Sequence, residues 1–419
     1  MTAKSPVSVG LVGIGGMGFY YLKSLLEDFS PGEIELVGVV DPYPEACGLF
    51  SRLRPQNIPV FSTVGSLYEK IPYIDLVVIA SPIACHVPQA CAALEQGSFV
   101  LCEKPIGALI QDADRLIRTK NQCGRWVNIG YQWSYSQAIQ SLKRDILRGD
   151  FGAPVKGKTL CFWPRGFEYY KRCAWAGRQR NNNGDWVLDS PANNAMAHFL
   201  HNLFYLLGSE TGTSAQPVEM TAEIYRAYSI ENYDTVACRA ITAEGYEVLF
   251  FASHVSAAEK GPIFRLDFEK AAVFFDVSEG GITARYQTGK TKTYDSPDDD
   301  PHMLKLFTSV KGVRKSGEIL CGPEAARSQT LCVNGIQESV EDIVVFPKSK
   351  VVMEKDRSWV NGLGEVFYEA YDKGILPSET GCSWAKQGRP VSLKNYTFFP
   401  GGHPQGGKKS EKIRNRSLE

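Results

Sequence analysis

No apolar run in this chain approaches the length needed to cross a bilayer, and none of its 11 cysteines stands in a C-x-x-C pair. The first absence excludes a helical membrane span. The second removes the usual zinc and redox motifs, so no metal is expected. Excess charge is also missing: 46 basic residues balance 46 acidic ones, for a formal net charge of zero. Nothing therefore draws the chain electrostatically to nucleic acid or to an anionic membrane. No basic segment followed by an apolar run opens the sequence, so no secretory signal is expected. An odd number of scattered cysteines fits a reducing cytoplasm, with Cys47, Cys85, Cys91 and Cys102 as small core residues. Internal repeats are absent as well. What is present is an ordinary globular composition, 43% hydrophobic and 22% charged over 419 residues, enough for two domains.

The most informative stretch is Val7 to Gly18, VSVGLVGIGGMG. It reads as a buried strand, a tight turn and the start of a helix, with Gly13, Gly15 and Gly18 in the G-x-G-x-x-G spacing. Gly13 permits the turn, Gly15 leaves room for a pyrophosphate, and Gly18 lets helix and strand pack closely. The helix N-terminus then presents unpaired N–H groups to phosphate. Phe19, Leu22, Leu25, Leu26 and Phe29 recur at helical spacing, and a second strand, Ile34 to Val40, ends at Asp41. Asp41 follows Gly18 by 23 positions, where an acidic side chain binds ribose hydroxyls and repels a 2′-phosphate. NAD is thus expected over NADP.

Strands and helices continue to alternate. Pro59–Phe61, Leu76–Ala80, Phe99–Cys102 and Val127–Ile129 read as strands, with helices over Val87–Glu95 and Gln111–Gln122. This pattern implies an α/β domain, a mostly parallel, doubly wound sheet, over residues 1–130. Gly13, Asp41, Ser81, Lys104 and Tyr131 follow strand ends and should converge on one crevice. Beyond Gly130 the pattern changes. Helices are expected over Ala138–Leu147 and Asn194–Leu207, then strands in succession from Val218 to Gln287, then helices near Met303–Val313 and Glu324–Ser339. This predicts an α+β domain over 131–400 with a large, mostly antiparallel open sheet, and a disordered tail over 401–419.

Gly13-x-Gly15-x-x-Gly18, Asp41, Ser81-Pro82 with His86, and Glu103-Lys104-Pro105 stand in an order and spacing that resembles the Gfo/Idh/MocA oxidoreductases. The likeness extends through Gly130-Tyr131-Gln132 and the segment His198 to Gly208. It implies a Rossmann domain, a second α+β domain, and a nicotinamide cofactor between them. Cofactor contacts are then expected from Gly13, Ile14, Gly15, Gly16, Met17, Gly18, Asp41, Ser81, Pro82, His86, Glu103, Lys104 and Gln132. It also implies a homo-oligomer, dimer or tetramer, built through the C-terminal sheet.

Lys104 is expected to reach into the crevice and polarise a substrate hydroxyl. His198 is the candidate general base, because its ordinary pKa lies near neutrality. Many family members carry an aspartate four residues before this histidine and an acidic residue three after it. Asn194 and His201 stand there instead, on the same expected helix face. Asn194 is assigned to orienting the imidazole or a hydroxyl. The aromatic and basic segment around Arg165, Tyr169, Arg172 and Trp175 suits sugar rings, with Tyr131 and His201 as further substrate contacts. The expected activity is NAD-dependent oxidation or reduction at a secondary hydroxyl or ketone of a sugar, polyol or glycoside. A redox-neutral eliminase, epimerase or glycosidase with recycled NAD, and a non-catalytic NAD sensor, are the rivals.

Overall fold

A computed structural model describes residues 5–314 and 319–401. The tail expected from residue 401 onward lies, past Gly401, outside the described residues. The first domain alternates β1 (Val7–Val12), α1 (Met17–Glu27), β2 (Ile34–Val40), β3 (Val60–Phe61), α2 (Val64–Lys70), β4 (Leu76–Ile79), α3 (His86–Glu95), β5 (Phe99–Cys102), α4 (Ile110–Cys123) and β6 (Val127–Ile129). The six strands are parallel, in the order β3-β2-β1-β4-β5-β6. The sheet is buried on both faces, and its central strand β4 is apolar at every position. Leu76 and Val78 of β4 pack with α1, whereas Val77 and Ile79 pack with α2, α3 and α4.

The second domain contains α5 (Gln137–Leu147), β7 (Pro154–Phe162), α6 (Phe167–Lys171), α7 (Ala197–Leu206), β8 (Pro217–Arg226), β9 (Thr235–Thr242), β10 (Glu247–Ser253), β11 (Lys260–Phe268), β12 (Ala271–Asp276), β13 (Ile282–Tyr286) and β14 (Thr291–Tyr294). It continues with α8 (Leu304–Arg314), α9 (Pro323–Ser339), β15 (Val344–Val345), β16 (Val351–Met353), β17 (Ser358–Val360), α10 (Leu363–Lys373) and β18 (Val391–Ser392). The large sheet runs β14-β13-β12-β11-β7-β10-β9-β8-β15, with β18 beside β8. Its pairs are antiparallel except β7–β10 and β8–β15. No helix among the described residues is long and apolar enough to cross a membrane.

Two packing features position the site. α9 lies against α4 of the first domain. Asn334 accepts from the Ile110 N–H (2.9 Å) and donates to the Ala108 carbonyl (2.8 Å), and Arg327 pairs with Asp114 (2.6 Å). α8 returns to the parallel sheet, where Met303, Leu306 and Val310 pack with Val9, Leu11 and Val78.

Part of the large sheet is covered by the chain itself. Phe346, Leu363, Phe367, Leu376 and Trp384, from the segment after α9, cover Leu160, Ala237, Leu249 and Phe251 there. The chain supplies its own cover because those sheet residues are fully apolar and costly to leave in water.

Candidate active site

The glycine turn is built as a phosphate cradle. Gly13 has φ +82°, and a Cβ on it would sit 2.9 Å from the Ala80 carbonyl and the Ser81 nitrogen. A Cβ on Gly18 would strike the Gly13 oxygen at 2.1 Å. Around Gly15 and Gly16 no atom lies within 4 Å of that position, and no side chain caps the first turn of α1. An open pocket of uncapped N–H groups at a helix start fits a dinucleotide pyrophosphate. Asp41 closes the turn from the end of β2. Its carboxylate accepts from the Ile14 N–H (2.9 Å) and the Tyr43 N–H (2.8 Å).

His86 is buried and ties two neighbouring loops together. Its Nδ1 lies 2.7 Å from the Pro105 carbonyl, and its Nε2 2.8 Å from the Ser81 carbonyl. Burial lowers its pKa. Glu103, expected to contact the cofactor, is engaged by groups of the protein itself. Its carboxylate is buried, accepting from Tyr21 Oη (2.8 Å), paired with Lys305, and accepting from the Lys104 N–H (3.1 Å). Burial alone would raise this carboxyl, but the Lys305 ammonium overcomes it and holds the pKa below the ordinary value.

Lys104 does point across the crevice. Its ammonium donates to the Asn194 backbone carbonyl at 2.7 Å. Burial lowers its pKa to about 8, against the opposing pull of Glu103.

The turn carrying Asn194 also differs from expectation. α7 starts at Ala197, not at residue 194, because Asn193 and Asn194 are drawn into a tight turn on Ser190. Asn193 N–H donates to Ser190 Oγ (3.2 Å), and Asn194 N–H donates to the Ser190 carbonyl (3.0 Å). The Asn194 amide therefore orients no imidazole; it donates to Asp189 Oδ1 at 2.7 Å.

His198 lines a cavity of about 190 Å³ in the second domain, together with Gln132, Trp133, Trp163, Phe199, Glu259 and Asp298. Its Nδ1 has no hydrogen-bond partner. Burial, then the positive charges of Lys104 and Lys305, push its pKa well below the ordinary value, so the ring is neutral at pH 7. Tyr131 and His201, expected as substrate contacts, are both buried next to His198. Each is 1% exposed, and their rings stack at 3.9 Å behind His198. His201 Nε2 meets Ser134 Oγ (2.9 Å), and burial lowers its pKa to about 3.

Arg165, Tyr169, Arg172 and Trp175 do come together. Both guanidinium groups lie over the Tyr169 ring, at 5.1 and 3.8 Å, and Arg172 is 5.3 Å from Trp175. Arg165 also lies 5.5 Å from the Trp163 ring of the cavity wall.

Sequence reasoning missed Trp133, Glu259 and Asp298. Asp298 accepts from Trp133 Nε1 at 2.7 Å. The acidic run 298–300, set between two prolines, was the available signal for that wall.

The glycine turn, Asp41 at the end of β2 and the reach of Lys104 to the Asn194 turn belong to a two-domain fold whose first domain is a Rossmann-type parallel sheet. Residues 7–131 match the family model described as an oxidoreductase family with an NAD-binding Rossmann fold. Over those residues the chain is similar to the Gfo/Idh/MocA oxidoreductases. It is 29% identical over 150 residues to inositol 2-dehydrogenase/D-chiro-inositol 3-dehydrogenase of Lacticaseibacillus casei, a match covering 36% of this chain and 42% of that protein. It is 31% identical over 151 residues to inositol 2-dehydrogenase of Rubrobacter xylanophilus, covering 36% and 42%. The chain thus spans less than half the length of these curated relatives.

Solved structures extend the likeness to both domains. The WlbA dehydrogenase of Bordetella pertussis, in complex with NADH and UDP-GlcNAcA, superposes with a TM-score of 0.64 at 20% identity, over 80% of this chain and 98% of that one. A levoglucosan dehydrogenase in complex with NADH gives 0.63 at 15% identity, over 80% and 96%. At these identities the likeness establishes the fold.

Proposed function

We propose that this chain is an NAD-dependent oxidoreductase that interconverts a secondary hydroxyl and a ketone on a sugar, polyol or glycoside. The observation that carries the reading is the meeting of Lys104, from the Rossmann crevice, with the Asn194 turn beside the His198 cavity. The matching family model is described as NAD-binding, and the chain's relatives include inositol dehydrogenases. The turn from Gly13 to Gly18, with Ile14, Gly15, Gly16 and Met17, would hold the pyrophosphate, and Asp41 the adenosine ribose. Ser81, Pro82 and Lys104 border the same crevice. The Asp41 carboxylate disfavours a 2′-phosphate. When bound, NAD supplies the acceptor for the hydride.

The protein's own groups manage the oxygen. Neutral His198 takes the hydroxyl proton and becomes imidazolium. The Lys104 ammonium donates to the same oxygen and stabilises alkoxide character as the C–H electron pair departs, leaving the ketone. In the cavity, Trp133 and Trp163 offer ring faces to sugar C–H groups, and the Asp298 and Glu259 carboxylates accept from hydroxyls. Arg165 and Arg172, on Tyr169, border the far side. For self-association through the sheet, the uncovered surface is the outer side of β11–β13, with Arg265, Phe274 and Arg285.

The test is incubation with NAD and a panel of sugars, polyols and glycosides, following NADH absorbance and product mass together. NADH rising with a product lighter by two hydrogens supports the reading. Product without NADH replaces it with redox-neutral chemistry on a recycled cofactor.

A further inference from the structure

Asp189 has no role in the mechanism above, yet it is one of the most fully engaged carboxylates near it. It is 2% exposed. Its oxygens accept from Arg172 Nη2 (3.2 and 3.3 Å), the Gly177 N–H (2.6 Å) and Asn194 Nδ2 (2.7 Å). A buried carboxylate is costly unless it is paired and hydrogen-bonded. Here its pairing leads to the lysine. Residue 194 is held at its N–H by the Ser190 carbonyl, at its side chain by Asp189, and at its carbonyl by Lys104.

We propose that Asp189 is a positioning residue for Lys104: it fixes Asn194, whose carbonyl fixes the ammonium, and with Arg172 it sets the electrostatic field around that ammonium. The proposal rests on the reading of Lys104 as the group that meets the substrate oxygen.

The same geometry explains the asparagine. An aspartate at position 194 would bring a second carboxylate oxygen to about the 2.7 Å now spanned by the amide–carboxylate hydrogen bond. Like charges so placed are strongly unfavourable. The carboxylate at this turn is supplied by residue 189, and the residue at 194 serves it as a donor.

The charged groups acting on Lys104 come in two opposed pairs. Glu103 and Lys305 act from the Rossmann side, Asp189 and Arg172 from the second domain. His198 faces it as a neutral ring. The two members of each ion pair act on the ammonium in opposite directions, so removing one member shifts it in a known direction.

The experiment is competitive trace acetylation of the full-length protein by acetic anhydride across pH, with Lys104 labelling read by mass spectrometry. It needs no substrate. Asp189→Asn should lower the half-labelling pH of Lys104, and Arg172→Met should raise it, each by roughly one unit. The double variant Asp189→Asn with Asn194→Asp keeps the contact with the charge moved, and should return the value toward wild type. With a substrate in hand, Asp189→Asn should lose at least about tenfold in kcat with a smaller change in KM. Shifts in the same direction in both single variants, or no shift in either, overturn the proposal. If Asp189→Asn does not fold, an unchanged value in Arg172→Met overturns it alone. Opposite shifts in a protein that oxidises no sugar would leave the positioning intact and remove the reaction assigned to Lys104.

Discussion

The Lys104 ammonium donates to the Asn194 carbonyl at 2.7 Å, across 90 positions of sequence and from one domain to the other. One hydrogen bond thus joins the loop after β5 to the turn before α7. It places a cation of lowered pKa at the mouth of the crevice, beside the cavity that His198 lines.

The first consequence is a pH limit. Lys104 acts as a donor only while protonated, and its pKa is lowered to about 8. His198 acts as a base only while neutral, which its lowered pKa ensures at pH 7. kcat/KM should therefore fall as pH rises through about 8, with no loss between pH 7 and 6.5. Lys104→Ala should reduce turnover by about 10² to 10⁴ while NAD binding persists. A pH–rate profile and a calorimetric NAD titration check the two halves.

The glycine cradle yields a cleaner separation of fold from binding. A Cβ on Gly15 meets nothing in the protein. Gly15→Ala should therefore leave thermal stability nearly unchanged while weakening NAD binding by at least about tenfold. Gly13→Ala should lose both, since φ +82° costs a non-glycine residue about 1–2 kcal/mol before its contact with Ala80 is counted. Melting curves with and without NAD distinguish them.

Acid should destabilise the protein early. His86, His198, His201 and His254 all have folded-state pKa values lowered by burial. Below the unfolded value near 6.5 the unfolded chain binds protons that the folded chain does not, so stability falls as pH drops. For His201, whose folded pKa is about 3, the loss at one pH unit below its unfolded pKa is about 1.4 kcal/mol. Urea unfolding at pH 7.5 and 5.5 should show it, and His201→Phe should reduce the difference between the two.

The cover on the outer sheet face makes its own prediction. Phe367 of α10 is fully buried against Phe162 and Phe251. Phe367→Ala should cost about 3–5 kcal/mol in urea unfolding. A chain ending at Val340 should expose Leu249 and Phe251 and self-associate, as light scattering would record.

Much of the first domain was legible because each local signal there agrees with the next. Gly13, Gly15 and Gly18 follow an apolar strand, and the fully buried Leu76–Ile79 strand is apolar at every position. The second domain was legible as strands and helices, because its alternation and spacing are local. What was not legible depends on contacts distant in sequence. Glu103 reads as a crevice residue until Tyr21 and Lys305 are seen to enclose it. His201 shares the helical spacing of His198 but faces Ser134 and Tyr131. Asn194 reads as a continuation of α7, whereas Ser190 and Asp189 hold it in the preceding turn. The segment after Ser339 has weak periodicity of its own, and its apolar residues acquire meaning only against the sheet they cover.

The most direct test of the central claim follows the hydride itself. Once a substrate is identified, it is prepared with deuterium at the carbon to be oxidised and given to the protein with one equivalent of NAD. Mass spectrometry of the nicotinamide then reports where the hydrogen went. The account predicts one deuterium in the reduced cofactor for each ketone formed. Ketone formed with no deuterium in the nicotinamide would contradict it.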